Sequence, residues 1–135
     1  MIPQSNGAVS ADRRSYRDQF LLNRVHGSLL FVFRHPRSRS SASPASGAIF
    51  RGAVWKKLVE KPAGQGTALH LMGLLSDGNV HSHIDQLFRL IEQSAKDGVK
   101  RLRVHILLDG RDVPETSALI YVDRLEEHLK KFNGQ

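Results

Sequence analysis

Two short polar segments of this 135-residue chain hold side-chain types that bind charged small molecules. Residues 76–83 read Ser-Asp-Gly-Asn-Val-His-Ser-His, and residues 109–112 read Asp-Gly-Arg-Asp. Arginine presents a planar fork of donors that matches a carboxylate or a phosphate, and a helix N-terminus adds free N–H groups and a partial positive charge. We therefore predict that His81, Arg111 and Asp112 contact an anionic small molecule, with Asp112 orienting the guanidinium or accepting from a substrate hydroxyl. The alternative for residues 109–112 is a tight turn with a surface ion pair.

His81 and His83 also suggest a metal site. A His-x-His pair near a strand end is found in hydrolases that bind zinc, and Asp77 and Asp85 would add oxygen ligands. The pair falls at the start of a predicted helix, however, where alternate residues do not share a face. The other histidines of this half are poorly placed to complete a ligand set: His70, His105 and His128. This placement disfavours a metal site, and a metal hydrolase that uses His81 and His83 stays a further hypothesis.

An alternation of strand and helix from Ala68 onward would position both polar segments. Residues 68–75 are nearly continuous in apolar side chains, as buried parallel strands are, and residues 101–108 form a second strand. Each strand leads through a short polar segment into a helix, which implies parallel strands and a right-handed crossover. Parallel neighbours end at the same sheet edge, so His81 and Arg111 can converge although they lie 30 residues apart.

The helix boundaries follow from capping and breaking residues. Ser82, with Asp85 three positions later, predicts the start of the first helix, and Gly98 predicts its end. Start signals precede the second helix, whose predicted buried face is Ala118, Val122, Leu125, Leu129 and Phe132. One more short helix is predicted from Val54 to Glu60, closed by Lys61-Pro62. The predicted fold class is α/β, a partial parallel sheet in strand-helix-strand-helix order after a mostly irregular leader.

Composition excludes several classes of protein. The chain has no cysteine, which rules out disulfide scaffolds, zinc fingers and a cysteine nucleophile. The longest apolar runs, residues 29–33 and 71–75, are far shorter than the roughly 20 residues of a transmembrane helix. Neither a phosphate-cradling glycine loop nor a G-x-S-x-G elbow occurs, so nucleotide-binding and esterase functions lack support.

The positive charge of the chain is concentrated in its first half. The formal net charge is +7, but residues 1–66 hold 11 Lys or Arg against 3 Asp or Glu. Residues 1–45 are predicted to be a disordered, basic, Arg/Ser-containing leader. A nucleic-acid contact, an organelle transit peptide, a secretory signal and a non-functional extension from a mistaken start all compete for this segment. Nucleic-acid binding is disfavoured because no recognised nucleic-acid-binding module occurs.

Residues 69–83 and 104–114 resemble cofactor-independent phosphoglycerate mutase. The likeness includes both polar segments, the 30-residue interval between His81 and Arg111, and the consecutive residues Ser117 and Ala118 that follow them. It extends back to residues 47–52, so residues 46–135 are similar to the early part of the substrate-binding domain of that family.

The resemblance implies a function. Family members move a phosphoryl group between the 3- and 2-hydroxyls of glycerate through a phosphoserine intermediate, in glycolysis and gluconeogenesis. One domain, similar to alkaline phosphatases, holds two manganese ions and the serine nucleophile, and the substrate-binding domain is inserted into it. His81, Arg111 and Asp112 match substrate-contacting residues, whereas the nucleophile and the metal ligands match nothing in this chain.

The resulting expectation is a fragment of a cytoplasmic, monomeric phosphoglycerate mutase that binds part of phosphoglycerate and is inactive alone. The alternative is a non-catalytic anion- or nucleic-acid-binding protein with a basic leader.

Overall fold

A computed structural model describes residues 22–25, 28–32 and 47–132, the first two ranges by their backbone only. In chain order the described elements are β1 (Leu22–Val25), β2 (Ser28–Val32), α1 (Ala48–Arg51), α2 (Ala53–Gln65), β3 (Leu69–Leu75), α3 (Ile84–Lys96), β4 (Leu102–Leu108) and α4 (Ala118–Lys130). None of the helices in these ranges is long and apolar enough to cross a membrane.

The strands form one sheet in the order β1-β2-β3-β4. β3 and β4 are parallel and pair without offset from Leu69↔Leu102 to Leu75↔Leu108. This confirms the predicted α/β class and strand-helix-strand-helix order. β2 also runs parallel to β3, and β1 pairs with β2 in the antiparallel sense. Both of these additional strands lie in the segment expected to be mostly irregular, and the rest of residues 1–45 lies outside the described residues.

The hydrophobic core lies on one face of the sheet. Burial alternates along β3, where Leu69, Leu71 and Leu75 are at most 1% exposed. These side chains belong to a single cluster with buried residues of α2, α3 and α4. The cluster comprises Trp55, Leu58, Val59, Leu69, Leu71, Leu75, Ile84, Leu87, Leu90, Ile91, Tyr121 and Leu125. The three longer helices therefore cover the same face, which is the physical basis for a stable β3–β4 platform.

The ends of α3 confirm one predicted boundary and correct the other. Gly98 adopts a positive φ of 84°, and its N–H donates to Ala95 O while that of Val99 donates to Ser94 O. This pair of bonds is a Schellman ending, which a glycine accommodates without steric cost. At the other end His83, not Ser82, is the N-cap, since its Nδ1 accepts from Asp85 N at 3.2 Å. Ser82 is instead buried in the loop.

α2 is longer than expected, and α4 buries two residues beyond its predicted face. α2 continues through Pro62 to Gln65, because Pro62 lies in the last turn, where its missing N–H removes one hydrogen bond, and its ring is fully buried. In α4 Leu125 is buried, and Val122, Leu129 and, just after the helix, Phe132 pack partly buried against the core, as predicted. Tyr121 and His128 are buried in addition. His128 stacks on the ring of Phe88 with centroids 4.0 Å apart, an aromatic contact that the apolar pattern does not reveal.

Candidate functional site

The two polar segments meet at the carboxyl edge of the sheet. Residues 76–83 follow β3 and residues 109–112 follow β4, and Leu75 and Leu108 are register partners at the last position of each strand. The first segment folds back against its own strand, since Ser82 Oγ donates to Leu74 O at 2.6 Å and Ile84 N donates to Ser76 O at 2.8 Å. The loop that carries His81 is thus tied down at both ends.

A hydrogen bond between His81 and Asp112 joins the two loops directly. His81 Nδ1 lies 2.7 Å from Asp112 Oδ2, with the His81 side chain 47% exposed and that of Asp112 6% exposed. An ionised carboxylate only accepts, so Nδ1 carries the donated proton and Nε2 is left for a ligand. Asp112 therefore orients His81, rather than the guanidinium of Arg111 as one expectation had it.

Close packing of the loops depends on a glycine. A Cβ placed on Gly78 would lie 2.5 Å from Asp112 Cβ, closer than real side chains approach. Asn79 follows with φ of 63°, a left-handed conformation that asparagine tolerates better than most residues. Its N–H donates to Ser82 O at 3.1 Å, closing the turn.

Asp109 organises the second loop from within. Its side chain is buried, at 5% residue exposure, and accepts from Ser76 Oγ at 2.5 Å and from the backbone N–H groups of Arg111 at 3.0 Å and Asp112 at 3.1 Å. Burial alone would raise the pKa of the Asp109 carboxyl, but the hydrogen bonds from Ser76 and the backbone lower it below its ordinary value. The Asp109 carboxylate thus links the two loops through its hydrogen bonds.

Arg111 lies two positions after Asp109 and is exposed. Its side chain takes part in no ion pair or hydrogen bond among the described residues. The structure brings His81 into contact with Asp112, the residue that follows Arg111, and the contact of these residues with an anion stays a prediction. An exposed guanidinium in this loop is suited to bind an anion.

Sequence reasoning missed the residues that tie this loop to α4. Tyr121 OH donates to Asp77 Oδ1 at 2.5 Å, and the guanidinium of Arg124 lies 3.5 Å from Asp77 and 3.6 Å from Asp85. The hydrogen bond to Asp77, followed by burial, raises the pKa of Tyr121. The only sequence signal was polar residues at Tyr121 and Arg124, three positions apart on a helix.

The described residues do not offer a metal site. Within them, no group of three or more His, Asp or Glu side chains is placed to hold an ion. His81 is bonded to Asp112, and His83 caps α3, so this pair does not converge on a common point.

Comparison with known proteins gives one consistent result. A model of the family described as BPG-independent PGAM N-terminus matches residues 41–135. A probable 2,3-bisphosphoglycerate-independent phosphoglycerate mutase of Leptospira interrogans is 53% identical over 98 residues, which are 73% of this chain and 18% of the relative. The corresponding protein of Symbiobacterium thermophilum is 49% identical over 85 residues, covering 63% of this chain and 16% of that protein.

A solved structure agrees in fold as well as in sequence. The crystal structure of Leishmania mexicana phosphoglycerate mutase at low cobalt concentration superimposes with a TM-score of 0.64 at 46% identity, covering 67% of this chain and 17% of that one. The chain thus spans less than a fifth of the length of these relatives.

Proposed function

Because this chain belongs to the family of BPG-independent phosphoglycerate mutases, we propose that it supplies part of the phosphoglycerate-binding site of such an enzyme. The observation that carries the proposal is the 2.7 Å bond between His81 and Asp112, which joins two loops 31 residues apart in sequence. It leaves one imidazole nitrogen and the exposed Arg111 guanidinium at the same sheet edge. Such an edge is where open α/β sheets bind ligands.

Each residue has a distinct role in this proposal. Arg111 pairs its planar fork with the carboxylate or the phosphate of the substrate. His81 presents Nε2 to a substrate oxygen, donating when the ring is protonated and accepting when it is neutral. Asp112 is the orienting group for His81, and Asp109 holds the loop on which Arg111 and Asp112 lie.

The reaction of the complete enzyme is proposed from the family. It interconverts 3-phosphoglycerate and 2-phosphoglycerate through a phosphoserine intermediate, as a cytoplasmic monomer. The resemblance assigns two manganese ions to that enzyme, which would supply charge neutralisation in phosphoryl transfer. Among the described residues no group of three or more metal-ligating side chains is placed to hold an ion, and the contribution proposed for this chain is to bind and orient the substrate. The assignment of residues 1–45 as a separate leader stays a prediction.

Titration of the chain with 3-phosphoglycerate, followed by calorimetry and by amide NMR shifts, tests the site. We expect Arg111→Gln and His81→Gln each to weaken binding about 10-fold or more, because a hydrogen bond between charged groups contributes about 1.5–3 kcal/mol. Arg89→Gln is the matched control, since Arg89 is exposed on α3 and has no ion pair among the described residues. Equal binding by the wild type and by Arg111→Gln would contradict the proposal.

A further inference from the structure

The edge of β3 that faces away from β4 is occupied by a strand from outside the family match. The family model matches residues 41–135, whereas β1 and β2 lie within residues 22–32. β2 pairs in the parallel sense with the first part of β3, Leu69–Met72. The segment that the sequence predicts to be a leader therefore contributes two strands to the sheet, and one of them is hydrogen-bonded to β3.

β2 extends the alternation of strand and helix by one unit. Parallel neighbours need a crossover connection, and between β2 and β3 that connection contains α2. α2 contacts both strands, and its buried residues Trp55, Leu58 and Val59 belong to the core cluster. With β2 in place, each of the three longer helices follows a parallel strand. Without it, β3 would have no partner on that side among the described strands.

The local sequence of residues 22–32 favours a hairpin. The register Val25↔Ser28 leaves only two residues, His26-Gly27, between β1 and β2. Two-residue connections that contain glycine are typical of β-hairpins. Residues 29–32 are all apolar, as is usual for a strand that has a parallel neighbour. The pairing in the sheet and the sequence of this segment therefore agree.

The hairpin changes the kind of edge that the sheet presents. β3 alone would present a strand of seven residues with no Asp, Glu, Lys or Arg. β1 has only four residues, and they include Asn23 and Arg24. Long apolar edge strands are templates for pairing with another chain, and short edge strands with charged residues are one way in which proteins prevent it. Along Leu69–Met72 the hairpin thus replaces an aggregation-prone edge by a protected one.

We propose that residues 22–32 are an integral part of this domain, which complete its sheet at β3 and prevent a second copy of the chain from pairing there. On this proposal they are not a separate leader, and they act through backbone pairing rather than by binding nucleic acid. The proposal goes beyond the proposed function, because it involves neither His81 nor Arg111 and assigns a role to residues that the family model does not match.

Disulfide trapping in the full chain tests the register, since the natural chain has no cysteine. Leu30 and His70 are register partners, and Met72 lies two positions further along β3 on the same face as His70. Partners on neighbouring strands are about 4.8 Å apart, and an offset of two residues increases the separation to about 8 Å, beyond the reach of a disulfide.

The variant Leu30→Cys/His70→Cys should therefore form an intramolecular disulfide about 10-fold faster or more than the control Leu30→Cys/Met72→Cys. Both variants are treated with the same mild oxidant at low protein concentration. Mass spectrometry of proteolytic fragments locates the bond.

A proline in β2 tests whether the pairing protects β3. Leu30→Pro removes a backbone N–H from a strand that has neighbours on both sides, where proline is not accommodated. We expect the amides of Leu69–Met72 to exchange with solvent about 10-fold faster or more than in the wild type, because local opening then costs less free energy. We also expect self-association at concentrations where the wild type sediments as a monomer. Leu30→Ile is the matched control, since it keeps the N–H and the side-chain volume.

Two results would overturn the proposal. One is equal disulfide formation by the two cysteine pairs, which would mean that residues 22–32 hold no fixed register on β3. The other is a Leu30→Pro variant with the stability, amide exchange and sedimentation of the wild type, because a proline in a separate leader breaks no strand pairing. If Leu30→Pro instead abolishes cooperative folding and Leu30→Ile does not, residues 22–32 are required for the fold, as proposed. No phosphoglycerate is present, so failure of the anion site leaves both experiments unaffected.

Discussion

At the scale of single residues, Gly78 determines how closely the two loops approach. Gly78→Ala would force its Cβ to within 2.5 Å of Asp112 Cβ, so the backbone of one loop must shift. We expect a loss of about 1–3 kcal/mol of unfolding free energy, and the loss of the His81–Asp112 bond. Urea unfolding and the NMR signals of the His81 ring measure the two effects.

Gly64→Ala is the matched control for this substitution. Gly64 lies within α2, has no positive φ, and a Cβ there meets nothing within 4 Å. This change should stabilise the chain by up to about 1 kcal/mol. If Gly78→Ala and Gly64→Ala change the free energy of unfolding alike, the close approach at Gly78 does not contribute to stability.

Asp109 makes stability depend on pH at the acid end. Its pKa is lowered in the folded chain, so its stabilising contribution is present above the ordinary carboxyl value, about 3.9, and is lost as pH falls through that value towards the lowered one. Ser76→Ala removes the donor to Oδ2 and should raise the pKa of Asp109, while costing about 1–3 kcal/mol.

Carbon NMR titration of the Asp109 carboxyl, together with unfolding at several acid pH values, checks this prediction. Ser94→Ala is the control, because Ser94 Oγ donates within α3 to Leu90 O and does not contact Asp109. A Ser76→Ala variant whose Asp109 titrates as in the wild type would show that the backbone donors suffice.

At the scale of elements, α4 supports the loop that follows β3. The link is the 2.5 Å bond from Tyr121 OH to Asp77 Oδ1, between residues 44 positions apart. Tyr121→Phe keeps the buried ring and removes only the hydroxyl, so we expect a cost of about 1–2 kcal/mol and weaker binding of 3-phosphoglycerate as residues 76–83 loosen.

A double-mutant cycle with Asp77→Ala, which removes the acceptor, isolates this link. If the two groups act through one bond, the cost of the double variant is clearly smaller than the sum of the single costs. Strict additivity of the unfolding free energies would mean that Tyr121 acts on the loop only through packing.

The elements were more predictable than their contacts. Apolar runs and glycine stops suffice to locate β3, α3, β4 and α4, because these signals are local. The sequence predicts an N-cap at Ser82 because serine is a common capping residue, whereas in the folded loop the Ser82 hydroxyl donates to Leu74 O. Only tertiary packing decides such a competition.

The residues of the candidate site were likewise predictable from the sequence, whereas their contacts were not. His81, Arg111 and Asp112 can be selected from residue type and strand order, since parallel strands must end together. The pairing of Asp112 with His81 instead of Arg111 depends on how closely Gly78 lets the loops approach. The bond from Tyr121 to Asp77 could not be predicted, because Tyr121 is buried beside the predicted apolar face of α4 and does not belong to it.

At the scale of the whole molecule, the proposed function makes this chain one part of a catalytic apparatus. We predict that the 135-residue chain with 3-phosphoglycerate and manganese forms no 2-phosphoglycerate above a buffer control. The reason is that phosphoryl transfer requires the nucleophile and the metal ions, which the family resemblance assigns to other segments. A coupled enolase assay measures the product, and turnover that is abolished by Arg111→Gln would refute the prediction.

β4 has a further consequence for how the chain behaves at high concentration. In the described sheet it pairs with β3 along one side only, which leaves a row of backbone N–H and C=O groups along the other. Such an unpaired strand edge is a template for strand addition by another chain. The exposed Leu107 and Leu108 side chains increase the tendency of the chain to aggregate there. Arg103 repels an identical strand, so salt, which screens that repulsion, should hasten fibril growth from still-folded molecules.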